Sequence, residues 1–212
     1  KDRIFVSGYL GRDILDYKSQ LNTSVNFNFG WGNSTATARW NHIFNQKLFS
    51  NTSIIFNRYE LFNDFNFGAG GFKIRSNLKD WNLKSDFTWY ANKNHQLKFG
   101  INYTFHSFQP GVLNGSIGST DFEQTINKQY AHEYAAYVLD EWAINQRLII
   151  NYGLRAVAFQ LVGPYSQAEF DNINQLPTDK VTSYKSNETI AFYPRLEPRL
   201  NLTYLFNENS SL

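Results

Sequence analysis

The chain has 212 residues, a formal net charge of +2 and no cysteine. Such a small charge, with no cluster of Lys and Arg, argues against nucleic-acid binding, and the missing cysteines exclude disulfides and Cys-based metal sites. No segment approaches the ~20 consecutive apolar residues that a transmembrane helix needs. The mean hydropathy is low, while the aromatic content is high at 17%.

Long segments alternate between apolar and polar residues. In 97–105, Leu97, Phe99 and Ile101 alternate with Lys98 and Asn102, and 81–89 and 196–206 show the same pattern. Successive side chains of a strand point to opposite faces, so each segment predicts a strand with one apolar and one polar face. Long, aromatic-rich strands of this kind are typical of an antiparallel barrel in an outer membrane.

The chain reads as about eight strands joined by turns that recur roughly every fifty residues. Asn-rich reversals occur near Asn45, Asn92, Asn145 and Asn207, and Asn favours tight turns. The segment 130–142 contains good helix formers, but its neighbours fit a hairpin, so we predict a strand there. The predicted strands cover 3–10, 25–44, 48–62, 72–90, 96–108, 129–144, 148–161 and 190–206.

The opposite ends of these hairpins are long, polar and rich in Gly, Asn, Ser and Asp. They cover 11–24, 63–71, 109–125 and 162–189, and we predict them to be loops, with 68–71 a flexible tip. Short turns at one end and long loops at the other is the asymmetry of bacterial outer-membrane barrels, whose long loops are extracellular.

Three segments resemble a known family. Residues 40–52 read WNHIFNQKLFSNT, Glu141-Trp142 is followed by LIINYGLR at 148–155, and 193–200 read YPRLEPRL before NENSSL at 207–212. In this order they are similar to hairpins of TonB-dependent outer-membrane receptors, especially those of Bacteroidetes, among which the starch-utilisation (SusC-like) type stays open.

The resemblance implies a 22-stranded barrel, of which about eight strands would lie here. We therefore expect residues 1–212 to be part of a single barrel domain from inside a larger receptor, without its signal peptide and plug domain. It further implies import of a scarce ligand across the bacterial outer membrane. The expected partners are outer-membrane lipid, the plug of the same parent chain, the TonB complex and, in the starch-utilisation type, a surface lipoprotein. The ligand class stays open between glycan, siderophore, peptide and vitamin.

Candidate site residues fall into two groups. Loop aromatics could stack on a ligand, and we select Phe108, Tyr165 and Tyr184. Polar residues of the inner strand face could contact the plug, and we select Arg155, Glu197 and Arg199, since Arg–carboxylate pairs can be bidentate. The plainer explanations are loop packing and an ordinary polar strand face.

We expect no enzyme, cofactor or metal site. The four histidines lack HExxH or close spacing, and no G-x-S-x-G motif occurs. Two alternatives remain open: a complete eight-stranded barrel acting as adhesin, anchor or hydrolase, and a soluble β-rich carbohydrate-binding domain. The small barrel requires its first and last strands to pair, and the soluble domain requires no lipid-facing apolar surface.

Overall fold

The computed structural model describes residues 1–19, 25–68, 70–118, 120–170, 177–207 and 210–211. Every regular element in these ranges is a β-strand, so the all-β prediction is confirmed. Many strands are long, with 20 residues in the third, against about 5–6 in ordinary sheets. In the same ranges there is no helix of the length and apolarity that a membrane crossing requires.

The strands are numbered in chain order. They are β1 (Asp2–Ser19), β2 (Val25–Ile43), β3 (Leu48–Phe67), β4 (Gly70–Tyr90), β5 (His95–Ile117), β6 (Thr120–Thr125), β7 (Gln129–Ala143), β8 (Leu148–Val162), β9 (Tyr165–Phe170), β10 (Pro177–Tyr184), β11 (Thr189–Asn207) and β12 (Ser210–Ser211).

One antiparallel sheet carries most of the chain. Its neighbours run in the order β1-β2-β3-β4-β5-β7-β8-β11-β12, and β6 pairs with the distal part of β5. The hairpin of β9 and β10 is a separate two-stranded sheet between β8 and β11. This up-and-down order is that of a barrel wall.

The described sheet is open. The pairing recorded for β1 is with β2, and β11 pairs with β8 and β12, so the first and last long strands do not meet. An open edge exposes unpaired backbone N–H and C=O groups, which are costly in lipid. The structure therefore lacks the pairing that the small-barrel alternative requires.

All eight predicted strands are present, as β1 to β5, β7, β8 and β11, and 130–142 lies in β7 as predicted. The predicted loops, however, are largely wrong. The strands continue through most of 11–24, 63–71 and 109–125, and 162–189 contains the β9–β10 hairpin. Residues 20–24 and 171–176 lie outside the described part of the chain.

The error has a physical cause. Asn, Asp, Ser and Gly disfavour strands only modestly, and a strand needs its backbone ladder more than any particular side-chain pattern. The ladder between β3 and β4 runs without a break to Phe67 and Gly70. Within the predicted flexible tip at 68–71, Gly70 and Gly71 belong to β4, and Gly68 has a φ of 51°, a conformation that glycine adopts without strain.

The register assigns each side chain to a face, because directly opposite residues point the same way. One row of directly opposite residues crosses β4, β5, β7, β8 and β11, and it consists of Asp86, Gly100, Tyr137, Arg155 and Glu197. We call their side of the sheet the inner face. The other side, which carries Leu97, Phe99 and Ile101, is the outward face.

Three short turns share one mechanism. Oδ1 of Asn45 accepts hydrogen bonds from the backbone N–H groups of Lys47 and Leu48, and Asn92 and Asn145 do the same two and three residues on. These Asx turns close the β2–β3, β4–β5 and β7–β8 hairpins where the sequence predicts reversals. The fourth predicted turn, at Asn207, falls partly outside the described residues.

Aromatic side chains form two rims on the outward face. Trp40, Trp89, Trp142 and Tyr204 lie near the short turns. Trp81 and Tyr103 lie beyond the apolar band, where Trp81 contacts Phe56 with ring centroids 4.8 Å apart. Two rims around an apolar band are the girdles of a transmembrane barrel.

Candidate functional site: the inner wall

Hydrogen-bonded polar side chains cross the inner face at mid-height. Tyr137 donates its hydroxyl to Oδ1 of Asp86 at 2.7 Å, and Nζ of Lys84 lies 2.9 Å from Oδ2 of the same carboxylate. Tyr137 and Asp86 lie on strands separated by β5, and Gly100 is the β5 residue between them. Because Gly100 has no side chain, the Tyr137 ring can pass over it to reach Asp86.

The structure brings Arg155, Glu197 and Arg199 together, as the sequence grouped them. Arg155 lies directly opposite Glu197, and Arg199 is two residues further along the same face. Nη1 of Arg155 and Nη2 of Arg199 are both 3.8 Å from Oε2 of Glu197. These are contacts between charges rather than the bidentate pair we expected, and one carboxylate faces two guanidinium groups.

A depression of about 390 Å³ lies beside this cluster, with Lys84, Tyr137, Gly153, Arg155 and Arg199 among its lining residues. Three cationic side chains lie around the depression, those of Lys84, Arg155 and Arg199. Only two carboxylates, those of Asp86 and Glu197, are in contact with them. Such a surface attracts a carboxylate-bearing segment.

A second depression, of about 460 Å³, lies further from the short turns. Phe108 lines it together with Leu78, Phe159, His106 and Glu133. Nδ1 of His106 is 2.8 Å from Asp80, and its Nε2 is 3.6 Å from Glu133. The sequence does not reveal this acid–histidine cluster: alternation places Asp80, His106 and Glu133 on one face, but only the register makes them neighbours.

The two selected tyrosines lie elsewhere. Tyr165 and Tyr184 are directly opposite each other in the β9–β10 hairpin. The Phe108 depression is lined from β4, β5, β7 and β8 among the described residues, so the three selected aromatics do not share that pocket. No group of three or more metal-ligating His, Cys, Asp or Glu side chains occurs in the described part of the chain.

An antiparallel wall with a polar inner face, an apolar outward band and two aromatic rims defines the class: part of an outer-membrane β-barrel. Residues 2–212 match the family model described as TonB dependent receptor-like, beta-barrel, and the chain belongs to that family. The family consists of outer-membrane receptors and transporters of Gram-negative bacteria, generally non-enzymatic, which work with a plug domain and TonB.

Among solved structures, the chain is similar to the copper transporter OprC, with a TM-score of 0.60 and 11% sequence identity. The alignment covers 96% of this chain and 35% of OprC, so the chain spans about a third of that protein's length. At this identity the likeness concerns the fold alone. A comparison with curated protein sequences gives no match.

Proposed function

We propose that residues 1–212 form part of one larger barrel, in a TonB-dependent transporter that captures a scarce ligand outside the cell and passes it inward. The observation that carries the proposal is a reversal of the two faces along the strands. Within the band between the rims, the inner face is polar and the outward face apolar. Beyond the distal rim, in β2 to β4, the inner face becomes aromatic, and the outward face becomes polar, with charged residues in β3 and β4.

The aromatic part of the inner face is a wall across three strands. Phe27, Phe65 and Phe72 are directly opposite one another in β2, β3 and β4. The Phe65 and Phe72 centroids are 5.2 Å apart, and Phe29 lies 5.5 Å from Trp31. Ring faces of this kind favour ligands with sugar or aromatic rings, which suits a glycan or a siderophore better than a small ion. Phe108 lies on the same face and extends this ligand-contacting surface, with Tyr165 and Tyr184 proposed as contacts from the separate hairpin.

We propose that the plug domain of the parent chain docks a carboxylate at the depression beside Arg155, Glu197 and Arg199. The guanidinium groups of Arg155 and Arg199 share one carboxylate, since both are 3.8 Å from the same oxygen of Glu197. A second carboxylate there would give each guanidinium group its own partner. TonB would pull on the plug and release these contacts, so the chain's own chemistry is binding and gating.

A surface lipoprotein partner, the starch-utilisation type and a Bacteroidetes source rest on the sequence resemblance alone.

Two observations favour this proposal over the alternatives. The open sheet speaks against a closed eight-stranded barrel. Against a soluble carbohydrate-binding domain, the outward band exposes large apolar side chains, with Leu10 83% and Leu200 77% exposed. Contiguous apolar surface of this extent indicates contact with a membrane or another partner.

The test is the size and location of the natural polypeptide. An antibody against 162–189 is used on outer-membrane fractions, with and without boiling before electrophoresis. We expect a heat-dependent shift and a band several times larger than the 24.7 kDa of this chain. A shifting band near 24.7 kDa would instead establish a self-contained small barrel.

A further inference from the structure

The outward face changes from apolar to basic just beyond the distal rim. In β3 the apolar Ile54 and Phe56 are followed on the same face by Arg58, and Lys79 lies directly opposite Arg58 in β4. In β1 Arg12 follows the apolar Leu10 on the same face, and the exposed Ile14 lies one step further on. One same-face step along a strand is about 7 Å, so these cations lie within one step of the apolar band.

We call Arg12, Arg58, Arg75 and Lys79 the outward basic patch. Arg58 is paired with Glu60, and Nη2 of Arg75 lies 3.2 Å and 3.3 Å from the two carboxylate oxygens of Asp64. Among the described residues, Arg12 and Lys79 have no carboxylate partner within ion-pair distance. The patch therefore has more cations than neighbouring carboxylates.

A buried ring holds two of these guanidinium groups in place. Phe62 is only 6% exposed, and Cζ of Arg12 and Cζ of Arg75 lie 4.6 Å and 5.6 Å from its ring centroid. Phe62 lies directly opposite Gly30, where the missing side chain leaves room for the ring. Cation–π contacts fix the direction of both arginines, so less side-chain entropy is lost when a ligand binds.

Between Arg12 and Arg58 is a groove of about 260 Å³ on the outward face. Arg12, Arg58 and Glu60 line it, with Gly32 among its lining residues and Leu10 on the side of the apolar band. A glycine on the central strand lets a ligand approach the backbone closely. The groove therefore joins an apolar surface to a pair of guanidinium groups.

We propose that the outward basic patch binds the phosphate groups of a glycolipid in the outer leaflet of the outer membrane. The acyl chains would lie along the apolar band past Leu10, and the phosphates would reach Arg12 and Arg58, whose planar forks match phosphate oxygens. A soluble anion would gain nothing from the adjoining band, which is why we choose the lipid. The proposal rests on membrane placement of the barrel and not on which ligand it imports.

The test uses the natural outer-membrane polypeptide purified in detergent, with fluorescent lipopolysaccharide as the probe. We expect the Arg12→Gln/Arg58→Gln double variant to bind at least about tenfold more weakly than wild type, because two charge-assisted contacts are lost. Enzymatically dephosphorylated lipopolysaccharide should bind to wild type at least about tenfold more weakly than the phosphorylated probe, for the same reason. The matched control is Lys18→Gln: Lys18 lies on the same face of β1 further from the membrane, is paired with Asp16 at 3.0 Å, and should have no effect.

Each variant is first checked for its heat-dependent gel shift, and Arg12→Gln alone replaces the double variant if the latter does not assemble. Equal binding by wild type and the variant would overturn the proposal, as would equal binding of the dephosphorylated probe. Displacement of the probe by millimolar inorganic phosphate would also overturn it, since the site would then take a free anion. These readouts require no transport, so failure of the proposed import function would be seen separately in uptake.

Discussion

Gly100→Ala should destabilise the barrel wall, because Gly100 is the residue that Tyr137 crosses to reach Asp86. A Cβ there would lie 2.5 Å from the Ser85 carbonyl oxygen, 3.0 Å from Cε1 of Tyr137 and 3.1 Å from Oδ1 of Asp86. The first contact is with backbone, which cannot move without disturbing the β4–β5 ladder. The ring must shift as well, and the hydrogen bond from Tyr137 is weakened.

The magnitude follows from these two effects. Overpacking costs about 1–3 kcal/mol, and a hydrogen bond to a charged group contributes about 1.5–3 kcal/mol. Because the ring can yield partly, we expect a loss of about 2–4 kcal/mol for Gly100→Ala. Tyr137→Phe removes only the hydroxyl bond and should cost less.

The assay is the denaturant midpoint of the heat-modifiable form of the natural protein in detergent, for both single variants and their combination. The two losses should be less than additive, since the hydroxyl bond can be lost only once. Gly8→Ala is the matched control: its Cβ would meet the Thr35 carbonyl oxygen at 3.7 Å, an ordinary contact, so it should be close to neutral. Two results would refute the inference that Tyr137 passes over Gly100 to reach Asp86. One is full additivity of the Gly100→Ala and Tyr137→Phe losses, and the other is equal stability of Gly100→Ala and Gly8→Ala.

Three further outcomes are expected. Asn45→Ala should lower stability by about 0.5–2 kcal/mol, because two turn hydrogen bonds are lost. The measurement is the same denaturant midpoint, and the control Gln46→Ala should have no effect. Equal losses for the two variants would contradict the Asx turn. Phe65→Ala should weaken growth on whichever glycan, siderophore, peptide or vitamin the strain imports, whereas Asn66→Ala, on the outward face, should not. If Asn66→Ala weakened growth and Phe65→Ala did not, the aromatic wall would not contact the ligand. Arg155→Gln should loosen the plug and raise passive uptake of a large antibiotic; unchanged uptake with normal assembly would exclude plug docking at this residue.

Alternation predicts the faces of the membrane band because the bilayer imposes it. Lys84, Asn102 and Arg155 share one face in the structure, as period two requires, and Trp40 and Trp142 share the other. Which residues touch across strands is a different matter. Asp86 and Tyr137 are 51 residues apart in sequence. Their contact depends on the registers of the β4–β5 and β5–β7 pairs, which backbone pairing decides.

The distal half of β5 shows why periodicity alone fails beyond the membrane. The β4–β5 register shifts between Arg75 and Asn77, where Val112 and Gln109 are their partners, so β5 contains an extra residue at Pro110-Gly111. Proline has no N–H to give to the ladder, which favours a bulge at this position. At the same bulge the Ser76 hydroxyl donates a hydrogen bond to the Pro110 carbonyl oxygen.

The extra residue reverses the alternation of β5. Leu113 therefore pairs with Ile74 on the inner face, and Val112 pairs with Arg75 on the outward face. An unbroken period of two would place both on the wrong sides. The bulge thus brings Leu113 to the apolar part of the inner wall and keeps Arg75 on the outward side, so the reversal of the two faces beyond the rim depends on backbone pairing as much as on composition.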